Sequence, residues 1–251
     1  MRLLPIALVL ALSAASIDAQ SPVTTASEGK TAAFTQRLLS AMAHRDVDAL
    51  GAMFKFPASV RSGGITLPIG STAALAKAFD TVFTPELGCA LEKDTGSGAR
   101  TADAVRKEGD TVTLGQGAVH LQPSGESFAI IRIDEPAGAA PPAPRAKPRP
   151  VDLPSGQVQM SGTLAAGGAD RFIVSTRQGD VLQARVERFQ GRAIGVRVLD
   201  AKTGKVLSTG PDTARVVSAT AHQPADLAVE VTRLTFCEPA VSYLLTLSKR
   251  R

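Results

Sequence analysis

The sequence has no tryptophan, one tyrosine, three histidines and two cysteines in 251 residues. So few aromatic rings argue against a sugar-stacking lectin groove or a base-stacking nucleic-acid platform. Three scattered histidines and two cysteines offer no zinc spacing, and the acidic residues are too dispersed for a calcium loop. Neither GxxxxGK(S/T) nor a strand–GxGxxG–helix occurs, so there is no phosphate loop. No GxSxG elbow accompanies the many serines. No metal, no cofactor and no nucleic-acid partner are therefore expected.

What is present begins with a leader. Met1-Arg2 supplies a short positive segment, and Leu3 to Ala15 is an apolar run broken only by Pro5 and Ser13. Ile17-Asp18-Ala19 puts a small residue at the cleavage position, with Gln20 as the mature N-terminus. Residues 1–19 read as a Sec-type signal peptide, and a periplasmic or secreted protein is expected. The run is shorter than the about 20 apolar residues of a membrane span, and polar SPVTTASEGK follows it. No transmembrane segment is expected.

The stretch PAGAAPPAPRAKPRP, residues 136–150, holds six prolines. Proline removes a backbone donor and fixes φ, so neither a helix nor a paired strand is expected there. It reads as a semi-rigid spacer between two unlike halves, 28–135 and 151–251. The halves also differ in charge. Gln20 to Glu135 carries eleven Lys and Arg against thirteen Asp and Glu; Pro136 to Arg251 carries sixteen against nine. The basic half suits an anionic envelope component. Its arginines are spread along strands rather than clustered, which equally describes a solvated basic surface.

In the first half, Phe34, Leu38, Leu39, Met42, Val47, Leu50 and Met53 recur near helical spacing between Glu28 and Phe54, with Asp46 capping a second helix. FKFPASVRSGGITLPI is strand-like, punctuated by Pro57 and Gly63-Gly64. Ser71 starts a helix through TAALAKAFDTVF, with Leu75, Phe79 and Phe83 on one face. TVTLGQGAVHLQ and SFAIIRID read as antiparallel strands, with turns at Gly109-Asp110 and Ser124-Gly125. This order, carried by FTQRLLSAMAHRDVDALGAMFKFPASVR, STAALAKAFDTVFTPEL, LGQGAVHL and FAIIRID, resembles exported members of the nuclear transport factor 2-like superfamily. The resemblance implies an α+β cone, helices on a curved antiparallel sheet around a pocket, and a homodimer through that sheet. It also implies that an enzyme of this kind would act as an isomerase or dehydratase on a small apolar molecule, through an Asp or an Asp-His pair. His120 is the candidate acid/base and Asp80 its distant partner. Against catalysis, the half lacks tyrosine, and an isolated strand histidine is commonly a polar edge residue. His44, at the end of the first helix, reads as an exposed capping residue.

The second half shows eight short alternating strands, from QVQMSGTL to VSYLLTLS, separated by turn residues about ten apart. That spacing predicts an all-β sandwich, jelly-roll-like. VQMSGTLAAGGADRFIVSTRQGDVLQARV, GVRVLDAKTGKVL, PADLAVEVTR and VSYLLTLS resemble the pre-peptidase C-terminal type of sandwich and the related bacterial lysozyme inhibitors. The resemblance implies an inhibitor or adaptor of a wall-acting enzyme. The segment QPADLAVEV lacks the family's Gly and Tyr, and no compact inhibitory loop is evident. Asp170, Asp180 and Asp200 fall at turns, where Asx chemistry accounts for them.

Cys89 and Cys237 fall one in each half. In an oxidising compartment an even count suggests a disulfide between the halves. Two separate buried thiols are the other reading. The residues as a whole predict an exported, non-enzymatic binding or envelope-associated protein of two modules. Its partner would be a small apolar ligand or another protein.

Overall fold

The computed structural model describes residues 23–96, 106–108, 111–135, 146–188, 194–210, 215–238 and 240–251. The expected signal peptide, most of the spacer and the turn at Gly109-Asp110 lie outside these residues.

Helix α1 (Val23–His44) buries Phe34, Leu38, Ala41 and Met42, the i, i+4, i+7, i+8 stripe of an amphipathic helix. Asp46 caps α2 (Val47–Ala52), its carboxylate accepting from the Ala49 N–H at 2.9 Å. Ser71 caps α3 (Thr72–Lys77), accepting from the Ala74 N–H at 3.2 Å. The helix expected beyond Ser71 breaks at Ala78, and α4 (Phe79–Val82) follows. Leu75, Phe79 and Phe83 are buried together, as their spacing predicts. No expectation covers α5 (Pro85–Gly96), although its start is legible. Thr84 Oγ1 accepts from the Leu87 N–H at 3.3 Å, and Pro85 occupies the first helical position, where a missing N–H costs little.

Strands β1 (Phe54–Ser62) and β2 (Ile65–Ile69) make a hairpin. Gly63 and Gly64 take φ of 56° and 82°, the paired positive values of a type I′ turn. Strands β3 (Arg106–Glu108), β4 (Thr111–Leu114), β5 (Val119–Ser124) and β6 (Ser127–Asp134) extend the sheet in the order β2-β1-β6-β5-β4-β3. Pairing is antiparallel except between β1 and β6. Pro57 falls where the β1–β6 register shifts, so its missing N–H meets an irregularity rather than the ladder. Leu38, Leu50, Leu75 and Leu91 of the helices pack against Val60, Val119, Leu121 and Ile130 of the sheet.

All eight strands expected after residue 151 are present: β8 (Gln157–Leu164), β9 (Ala169–Thr176), β10 (Val181–Arg188), β11 (Ile194–Asp200), β12 (Val206–Thr209), β13 (Val216–Thr220), β14 (Ala225–Arg233) and β15 (Val241–Arg250). They form a sandwich. One sheet runs β13-β10-β15-β8; the other runs β12-β11-β14-β9 and ends in β7 (Arg149–Pro150). Phe172, Leu182, Val196, Val229 and Leu245 belong to the shared core.

β7 corrects the expectation for the spacer. Arg149 and Pro150 pair in parallel with Phe172 and Ile173. The pairing holds because β7 is an edge strand, and the Arg149 guanidinium lies 4.5 Å from the Phe172 ring centroid. Arg149 also bridges Asp170 at 3.3 Å, and the Tyr243 hydroxyl donates to that same carboxylate. Asp170 is therefore the anchor of the spacer's end rather than a turn residue. Asp200 does make an Asx turn, accepting from the Lys202 and Thr203 N–H groups.

Candidate functional site

Two joints hold the halves together. At the first, Cys89 of α5 and Cys237, in the β14–β15 connection, form a disulfide across a separation of 148 residues. The Glu92 carboxylate, one turn along α5, accepts from the Phe236 N–H at 2.7 Å and the Cys237 N–H at 2.9 Å. The Phe236 ring enters the core of the first half, where Gly88 leaves it room. A Cβ on Gly88 would lie 2.3 Å from the ring. Of the two readings of the cysteine pair, the bridge is the one present, and it suits an oxidising compartment.

At the second joint, Arg171, Glu230 and Arg197 stand in one cross-strand row on β9, β14 and β11. Glu230 Oε2 accepts from Arg171 Nη2 at 2.7 Å, and Oε1 from Arg197 Nε at 2.8 Å. Arg197 Nη2 also donates to the His44 carbonyl at 2.6 Å, capping the C-terminus of α1. Burial pushes the Glu230 carboxyl up, but the two guanidiniums outweigh it and hold it below its ordinary range. His44, expected to be exposed, is half-buried against Gly195.

Between the halves, beside this second joint, lies a cleft of about 1090 Å³. One wall comes from α1, where Phe34, Arg37, Ala41 and His44 recur every three or four residues on one face. Met53, Lys55 and the β5–β6 hairpin add to it, and Arg197, Val206 and Thr209 of the sandwich form the opposite side. Arg37 Nη2 donates to Ser127 Oγ at 3.2 Å, and Lys55 Nζ to Gln122 Oε1 at 2.9 Å. Both cations keep their charge unneutralised by these partners. No sequence signal marks the cleft, because its residues come from distant elements.

The expected catalytic pair is not assembled. His120 shares β5 with Val119 and Leu121, which are buried towards the helices, so alternation turns it to the opposite face. There its Nε2 lies 2.8 Å from Asp134 Oδ2, and Arg132 Nη2 lies against the same ring. Asp80 is elsewhere, in a bidentate pair with Arg45, which stacks on Phe79. An Asp-His pair therefore exists with a partner the sequence did not indicate, outside the cleft. With Asp134 and Arg132 both against the ring, it reads as a cross-strand polar cluster. Among the described residues no group of His, Cys, Asp and Glu could hold a metal ion, and no helix is long and apolar enough to cross a membrane.

No family model and no curated protein matches the chain. Solved structures similar to part of it include Aeromonas hydrophila PliG, a periplasmic inhibitor of g-type lysozyme. It is 10% identical, covers 42% of this chain and 98% of its own, and has a TM-score of 0.37. The pre-peptidase C-terminal domain of a Bacillus anthracis collagenase is 13% identical, over 43% and 98%, with a TM-score of 0.33. Salmonella Typhimurium PliG is 12% identical, over 42% and 100%, with a TM-score of 0.31. A likeness at these scores says nothing of function.

Proposed function

We propose that the chain is an exported, non-enzymatic binding protein that holds its ligand in the cleft between its two halves. The observation that carries this is the cleft's position. Its walls belong to both halves, and the halves are fixed to each other by a disulfide and by Arg197, which Glu230 holds in place to donate to the His44 carbonyl. Clefts between packed units are a usual place for small-molecule sites. In this reading the first half, 28–135, is a cone of the nuclear transport factor 2-like kind, and 151–251 is a sandwich of the pre-peptidase C-terminal kind. The location is the periplasm or the cell exterior. Catalysis in the cone is the weaker alternative, because His120 and Asp80 point to different partners. The test is native mass spectrometry of the protein recovered with its disulfide intact from the envelope fraction. A bound mass should accompany the wild type and be missing from Ala52→Trp, which fills the cleft. Equal masses in both would remove the cleft as the site.

One observation favours a second reading, an inhibitor or adaptor docking a protein through the sandwich. Edge strands β12 and β13 expose Val206, Leu207 and Val216, each more than 40% accessible. Leu207→Glu with Val216→Glu should abolish co-purification with a wall-acting enzyme under this reading, and leave the mass bound in the cleft unchanged under the first.

A further inference from the structure

We propose that the cleft takes a single-chain amphiphile with an anionic head, a carboxylate or a phosphate. This rests on the reading of the cleft as a ligand site. The head lies between Arg37 and Lys55, and the chain runs over Met53 and Phe128 towards Val206.

Charge selects the head. The described partners of Arg37 and Lys55 are neutral, Ser127 and Gln122. Arg197, the third cation of the cleft, is already matched by Glu230. The cleft's one described acidic residue is Asp46, whose carboxylate is occupied by the Ala49 N–H at the start of α2. Arg37 and Lys55, neither in a described ion pair, thus line the cleft against the single carboxylate of Asp46, and an anion between the two cations gains from both.

Register places the two cations close together. Gln122 pairs with Ala129, and Ser127 pairs with Ser124, two rungs further along the same hairpin. The anchor points are therefore about 7 Å apart along the ladder. A compact head group spans that gap.

The apolar part is selected by what lines the rest of the cleft. Met53 and Phe128 are half-buried and Val206 is 42% exposed. Phe128 is held by an edge-on contact with Phe34, centroids 6.0 Å apart. Val206 belongs to the sandwich and Phe128 to the first half. A flexible chain crossing from one to the other needs the two halves held together, as the disulfide does.

The experiment uses the mature, oxidised protein and calorimetric titration at low ionic strength, with every surfactant below its micelle concentration. The probes are dodecanoate, dodecyl phosphate and dodecyltrimethylammonium, with inorganic phosphate as the headgroup alone. Dodecanoate or dodecyl phosphate should bind with one-to-one stoichiometry, the tighter of them identifying a fatty acid or a phosphorylated lipid as the natural source. Arg37→Gln and Lys55→Gln should each weaken that binding about tenfold, the scale of one charged hydrogen bond. Val206→Ser should weaken both anionic surfactants alike, and inorganic phosphate should bind far more weakly than either. Equal binding of the cationic surfactant, or anionic binding that Arg37→Gln and Lys55→Gln leave unchanged, overturns the anionic class. The cleft itself survives that result if Ala52→Trp still blocks binding. No binding by any of the three surfactants overturns the proposal, while a mass lost from Ala52→Trp on native mass spectrometry still upholds the cleft as a site for another chemistry.

Discussion

At the residue scale, Glu230 shows why a strand pattern understates burial. Leu227, Val229 and Val231 alternate with Ala228, Glu230 and Thr232, which spells a strand wet on one face. All six are buried, because α1 packs against the outer face of β14. The carboxylate persists there only because two guanidiniums reach it. Glu230→Ala should lose about 3–5 kcal/mol in urea unfolding, since it leaves Arg171 and Arg197 partly buried without their anion. The pH dependence follows from the lowered carboxyl. Its contribution is complete above the ordinary carboxylate range and is lost as pH falls through the lower folded value. The stability gap between wild type and Glu230→Gln should therefore be widest near neutrality and shrink below about pH 4. Gly88 makes a second residue-scale case. Gly88→Ala drives a methyl into the Phe236 ring and should cost about 1–3 kcal/mol. Phe236→Leu in the same chain should recover part of that loss, and a double-mutant cycle measures the coupling.

Among the elements, α5 is the one whose importance is out of proportion to its signal. It carries Gly88, Cys89 and Glu92, the three residues that receive the Phe236–Cys237 segment. Thr84-Pro85-Glu86 is a helix start in plain view, but TFCEPA in the other half reads only as a turn. Nothing local links the two. Cys89→Ser with Cys237→Ser reopens a loop of 148 residues and should cost about 4–5 kcal/mol in the chain-entropy model. Native mass spectrometry and thermal melting check it. The docked arrangement should survive in the double serine variant at neutral pH, because Glu92 and the Glu230 row remain. Adding Glu92→Ala together with Arg197→Ala, which removes the hydrogen bond to the His44 carbonyl as well, should separate the halves, visible as a larger radius of gyration in solution scattering.

For the whole molecule, the question is whether the halves are independent. Each contributes a core, yet Phe236 of the second is buried in the first. Expressed alone, 151–251 should melt cooperatively. Fragment 28–135 should melt at a lower temperature and aggregate more readily, since Phe236 no longer covers its core. Absence of a transition in both fragments would show one cooperative unit and remove the proposed boundary. Export is tested by N-terminal sequencing of envelope protein, which should begin at or near Gln20.

The sequence alone determined the local elements. Periodicity gave α1 and the eight sandwich strands, and side chains at 46 and 71 gave the caps, because such signals depend on residues within one or two turns. It narrowed the cysteines to two readings and could not choose between them. Tertiary structure decided the rest. Contacts inside each half turned His120 and Asp80 to separate partners and paired the last two residues of the spacer with β9. The packing of the halves on each other buried Glu230 and brought Arg37, Lys55 and Val206 to one cleft. These outcomes depend on contacts between residues up to about 150 positions apart, and no local pattern encodes which surfaces meet.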